Sequence, residues 1–163
     1  MPVTRAFPDA VTTVDASEQF ELGTEWPMDA GEAEALSSLV QGPQTWVYIE
    51  ADEEVVLGTI VSFKSGTAQF TGVKSPTSSS PHRVIGVAQH TIAANSYGWI
   101  LKRGMGEVLA DTGGLSKDLG IIPGNAVAGR ADNAAAVTNA AIGVCFDDGV
   151  AATALATCLI SIP

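Results

Sequence analysis

Residues 84–102 read VIGVAQHTIAANSYGWILK. Val84 to Thr91 is rich in β-formers, Ala94-Asn95-Ser96 supplies turn residues, and Tyr97 to Lys102 is a second β-rich run. The spacing predicts two strands joined by a tight turn. Outward from this hairpin the same rhythm continues. Upstream, Thr45-Trp46-Val47-Tyr48-Ile49 reads as a strand and Ala51 to Glu54 as an acidic turn. Val55 to Phe63 reads as a strand interrupted by Gly58, and Ala68 to Val73 as another. Ser75-Pro76-Thr77-Ser78-Ser79-Ser80-Pro81 is a loop by composition. Downstream, Gly104 and Gly106 flank Met105, which suggests a bulge or a barrel corner. Glu107 to Ala110, Leu119 to Ile122, Ala141 to Phe146 and Leu155 to Ile162 complete the set, separated by Asp111-Thr112-Gly113-Gly114, Pro123-Gly124 and Asp147-Asp148-Gly149. Many short strands with glycine-rich turns predict an all-β sandwich or barrel, and no βαβ alternation is present.

The order of segments repeats. Trp46-Val47-Tyr48-Ile49, Gly58-Thr59-Ile60-Val61 and Val84-Ile85-Gly86-Val87-Ala88 are echoed by Tyr97-Gly98-Trp99-Ile100, Gly120-Ile121-Ile122 and Ala141-Ile142-Gly143-Val144-Cys145. Two related halves closing one barrel would explain the echo, with glycine admitting a close backbone approach inside an apolar strand. One helix is expected within 28–42. Asp29 and Glu32 have capping-box spacing, Ala33, Leu36, Leu39 and Val40 share a face, and Gly42-Pro43 ends it. Residues 1–19, with Pro2 and Pro8 and no hydrophobic period, read as an extended arm. Residues 20–163 read as a single β domain.

The chain of 163 residues is long enough for one core. Charged residues make up 16% and the net charge is −10, while mean hydropathy is +0.24. A charge-poor chain implies surface covered by neighbours, and the acidity opposes binding to nucleic acid or anionic lipid. The start MPVTRAFPDAVTTVD has no apolar leader core, and no apolar run reaches membrane-spanning length, so neither export nor a membrane partner is expected. Cys145 and Cys158 are expected as reduced, small core residues.

Catalytic patterns are weak. His82 and His90 are the only histidines, and with two distant cysteines they do not make a zinc pattern. Glu50, Asp52, Glu53 and Glu54 sit on a turn and read as a solvated tip rather than a facing pair of carboxylates. No G-x-S-x-G elbow is present, and Gly104-Met105-Gly106 is not a phosphate loop. The expectation is a non-enzyme without metal or cofactor. Trp26, Trp46 and Trp99 on strands fit core or interface positions.

Several segments together resemble a known group. Phe20-Glu21-Leu22-Gly23-Thr24-Glu25, Trp46-Val47-Tyr48-Ile49-Glu50-Ala51, Ile85-Gly86-Val87-Ala88-Gln89 and Asn95-Ser96-Tyr97-Gly98-Trp99-Ile100 are similar to small tailed-phage virion proteins, and to capsid decoration, or cement, proteins. The chain departs from that pattern between Pro27 and Pro43, where it carries the capped helix. The resemblance implies a β-barrel or β-tulip-like protein on the outer capsid surface of a virion, assembled in the host cytoplasm. Its implied partners are the major capsid protein and its own copies, as a homotrimer, with shell stabilisation by bridging of capsomers. Interface positions expected on this basis are Val3, Arg5, Phe7, Trp26, Trp46, Tyr97 and Trp99. The alternatives are a tail or neck component, and a host-facing carbohydrate-binding β module using exposed tryptophans.

Overall fold

The computed structural model describes residues 11–36, 42–67, 69–134 and 141–163. Within them the chain forms β1 (Val14–Asp15), β2 (Glu25–Met28), α1 (Ala30–Leu36), β3 (Gln44–Ala51), β4 (Ile60–Phe63), β5 (Thr71–Lys74), β6 (Val84–Val87), β7 (Ser96–Leu109), β8 (Gly120–Pro123), β9 (Ala131–Asn133), β10 (Gly143–Cys145) and β11 (Leu155–Ser161). Among the described residues the chain is all-β apart from α1 and a short 3-10 turn at Pro81–Arg83.

Five strands close on themselves. β3 pairs with β5, β5 with β4, β4 with β6, β6 with β7, and β7 returns to β3. The β3–β5 contact is parallel and the others antiparallel. A second ring repeats this scheme. β7 bridges to β9 in parallel through Ala110 and Ala131, β9 pairs with β8, β8 with β10, β10 with β11, and β11 returns to β7. β7 therefore closes the first barrel with residues 96–103 and opens the second with residues 103–109. Gly104, with φ of +118°, lies at the handover between them. A side chain there would be strained and would run into the Pro43 carbonyl.

The two rings match down to single hydrogen bonds. Val55 and Ile92 exchange a pair of N–H···O bonds, and so do Leu115 and Val150. The Gly58 N–H donates to the Ala88 carbonyl, and the Asp118 N–H to the Cys145 carbonyl. Gly58 and Asp118 both have positive φ. This register makes Gly86 the counterpart of Gly143, since Val61 pairs with Gly86 and Ile121 with Gly143. A Cβ on Gly86 would sit 2.8 Å from the Leu101 carbonyl oxygen, and one on Gly143 would sit 2.2 Å from that of Leu159. The repeated I-G-V thus has one cause in both halves: the glycine lets its strand lie close on the backbone of the next.

The halves are related, yet not in the frame expected from the sequence. Trp46 to Ile49 and Tyr97 to Ile100 are not counterparts. They are neighbours in one barrel, with Tyr48 opposite Trp99 and Val47 opposite Ile100. The counterpart of β3 is the far half of β7, where Ala110 takes the place of Ala51. Likewise Gly58 answers to Asp118 rather than to Gly120. The aromatic echo is not a repeat, because the second half has Met105, Gly106, Glu107 and Val108 at the places equivalent to Trp46 to Ile49.

Alternation along β3 divides its side chains between two cores. Val47, Ile49 and Ala51 point into the first barrel with Val61, Ile85 and Ile100. Trp46 and Tyr48 point outward into a larger cluster that contains Trp99, Leu101 and the second-barrel residues Ile121, Ile142 and Ile160. Both faces of β3 are buried, so its near-continuous apolar run is explained.

The helix starts as its capping box predicts. The Glu32 N–H donates to Asp29 Oδ1 at 2.9 Å, and the Asp29 N–H to Glu32 Oε2 at 3.2 Å. Leu39 and Val40, expected on its apolar face, lie outside the described residues. Val55 to Phe63 is not one strand as expected: Gly58 turns the chain at positive φ, and only β4 is extended. Of the residues 1–19 read as an arm, 1–10 lie outside the described set. From Val11 onward the segment lies on this chain's own sheet, with Val14 opposite Gly98 and Asp15 opposite Tyr97.

Candidate interaction surface

The aromatic residues expected at an interface take different places. Val3, Arg5 and Phe7 lie outside the described residues. Trp46 is 2% exposed and Trp99 is 1% exposed, so both belong to the chain's own core. This corrects their assignment to an interface. The reason is the second layer laid over β3 and β7 by the N-terminal segment. Phe20 packs edge-on against Tyr48 and Trp99, with ring centroids 5.2 Å away in each case. Trp46 Nε1 donates to Gln44 Oε1 at 3.0 Å, and Gln44 Nε2 donates to the Met105 carbonyl at 2.8 Å, tying the first barrel to the second. Tyr97 is half-buried and stacks on Tyr48. Trp26 is half-buried opposite Trp46.

Tyr48 anchors the covering segment. Its hydroxyl donates to Asp15 Oδ2 at 2.8 Å and accepts the Gln19 N–H at 3.3 Å. Burial pushes its pKa far up, and the Asp15 carboxylate adds to that.

The titratable groups singled out from the sequence do structural work or stand alone. Asp52 pairs with Lys64, and Glu53 accepts the Lys74 N–H at 2.9 Å, so the acidic turn is pinned to the barrel wall. Both ring nitrogens of His90 are buried without a hydrogen-bond partner, and burial lowers its pKa. Asp111 is fully buried. Its Oδ1 accepts the Thr112 N–H, and its Oδ2 accepts those of Ala126 and Val127. Burial raises its pKa, but these three donors and Arg130 outweigh that, and the net shift is downward. Among the described residues no three metal-ligating side chains gather.

The unexplained surface lies on the second barrel. Val144 and Leu159 are directly opposed across β10 and β11, are 36% and 41% exposed, and point outward. Phe146, 45% exposed, and Leu155 extend the patch. The corresponding outward positions of the first barrel are Val87 for Val144 and Leu101 for Leu159, both fully buried. Leu101 is covered by the second barrel itself, through the close approach of its side chain to Gly106. Nothing in the described residues covers Leu159 in the same way. Sequence reasoning missed this patch, although one signal was present. Leu155-Ala156-Thr157-Cys158-Leu159-Ile160 is largely apolar at odd and even positions alike, a pattern that calls for cover on both faces, and the described residues cover only one.

The fold so defined is a duplicated small-barrel β module with one apolar face left open. A solved protein of similar fold is the N base of head fiber gp8.5 of bacteriophage phi29. The two share a TM-score of 0.51 and 14% identity, over 71% of this chain and 92% of that one. At that identity the likeness is one of fold. No protein-family model and no curated protein sequence matches the chain.

Proposed function

We propose that this is a non-catalytic structural protein of a phage virion, acting on the capsid surface as a decoration or cement protein. The observation that carries the reading is the open apolar face of β10 and β11 on a charge-poor acidic chain. The likeness in fold to a phage head-fiber base supports the same setting. The face is assigned to contact with a second copy of this chain. In the first barrel the equivalent face is closed by the next barrel along, so a neighbouring copy would continue the same stacking. Copies would gather as a homotrimer and meet the major capsid protein through other surfaces. Several weak contacts per oligomer would then grip the shell together.

The carbohydrate-binding alternative is weakened by the burial of Trp99, which leaves Trp26 as the one partly exposed tryptophan. A tail or neck position is the other alternative, and the capsid experiment bears on both.

The test is light scattering on the purified protein, then sedimentation with empty capsids. A trimer that co-sediments with shells supports the reading. Leu159→Asp is expected to weaken self-association at least about tenfold, equal to about 1.4 kcal/mol, while the dilute monomer keeps its β circular dichroism spectrum. A monomer at all concentrations that ignores shells would overturn it.

A further inference from the structure

We infer that Cys145 and Cys158 are the two halves of an intramolecular disulfide that clamps β10 to β11 in oxidising surroundings. The residues are direct partners in the ladder. The hydrogen bonds fall on alternate rungs: the Phe146 N–H donates to the Thr157 carbonyl at 2.9 Å on the adjacent rung, and the Ser161 N–H to the Ile142 carbonyl at 2.8 Å three rungs away. Alternation places the cysteines at a non-hydrogen-bonded pair, where Cα atoms approach to about 4.5 Å. That lies within the span of about 4.4–6.8 Å that a disulfide bridges. Both side chains are buried on the inner face of the second barrel, where burial and the Cys145 sulfur alongside push the Cys158 thiol up.

The two cysteines sit in the core of the second barrel at positions where the first barrel has no pair able to bond covalently. The counterparts of Cys145 and Cys158 in the first barrel are Ala88 and Ile100. The second barrel therefore has a thiol where the first has isoleucine. A covalent link across the last hairpin replaces apolar contact with a constraint on the unfolded chain.

The bridge forms by exchange with a low-molecular-weight disulfide. One thiolate attacks it and releases a first small thiol, leaving a mixed disulfide. The second cysteine then displaces the other small thiol. Two S–H bonds are lost and one protein S–S bond forms, with two electrons and two protons passing to the reagent. Both thiols are buried, so exchange requires a folding chain or opening of the β10–β11 ladder.

The experiment refolds the full chain with glutathione disulfide or with a reductant, followed by alkylation in denaturant and intact-mass measurement. The expected oxidised product has lost two hydrogens, takes up no alkylating agent, remains a single chain on a non-reducing gel, and melts at a higher temperature than the reduced form. Cys145→Ala, which installs the residue found at the first-barrel counterpart, is expected to fold, to lack the bridge, and to show no rise in melting temperature on oxidation. Two alkylatable thiols after oxidation, a stable glutathione adduct on each cysteine, or chains linked to one another would overturn the inference.

Discussion

At the scale of single residues, stability depends on a few groups whose polar demands are met or left unmet by burial. Asp111 accepts three backbone N–H bonds with no solvent exposure. A hydrogen bond to a charged group contributes about 1.5 kcal/mol or more, so Asp111→Ala is expected to cost about 3 kcal/mol in urea unfolding. The sign with pH follows from its lowered pKa. The contribution is complete above the unfolded value of about 3.9 and is lost as pH falls through the lower folded value. His90 acts in the opposite chemical sense with the same direction. Its folded pKa lies below the ordinary 6.5, so the unfolded chain takes up the proton first and folding weakens as pH falls through that value. His90→Leu is expected to flatten the fall in stability between about pH 7 and about pH 5. An unchanged slope would show that other groups carry it. These contacts were not legible in the sequence: Asp111 reads there as one member of a turn, and its donors lie up to sixteen residues away.

At the scale of elements, close approach of strands decides which substitutions are tolerated. Gly143→Ala would drive a Cβ into the Leu159 carbonyl, a backbone atom that cannot rotate away. The expected loss is about 3 kcal/mol, the upper end for overpacking. Gly86→Ala meets the Leu101 carbonyl at a longer distance and is expected to cost less. A reversed order in melting temperature would show that the Ile100 side chain beside Gly86, rather than carbonyl approach, sets the cost. The N-terminal cover is held by Tyr48. Tyr48→Phe removes two hydrogen bonds, is expected to cost about 1–2 kcal/mol, and should raise amide exchange of residues 14–19 more than that of β3. The capping box of α1 was readable because its signal is local, whereas the tight hairpin expected over residues 84–102 is not formed: β6 ends at Val87, meets β7 at the single pair Val87–Leu101, and Ile92 bridges to Val55 instead. β2 and β9 were not readable, since they are short and become strands only by pairing with β3 and β8.

At the scale of the whole molecule, a net charge of −10 opposes association while an apolar face favours it. Salt screens the first term, with a Debye length of about 10 Å at 0.1 M, and leaves the second. Sedimentation at low and high salt is therefore expected to show stronger self-association at high salt. A charge-paired interface would show the reverse.

The sequence alone determined the β class, several of the turns and the capped start of the helix, because these follow from residue periodicity and local backbone preference, and the repeated I-G-V segments marked two related halves without giving their frame. Tertiary structure alone decided three things. It set which segments are equivalent, since β7 serves both barrels and the aromatic echo is a pairing rather than a repeat. It placed Trp46 and Trp99 in the core, since a separate segment folds over them. It left Val144 and Leu159 outside, since their counterparts are closed by a following barrel and they are not. In each case the deciding quantity is what lies across the gap from a side chain, and pairing over long stretches of chain supplies it.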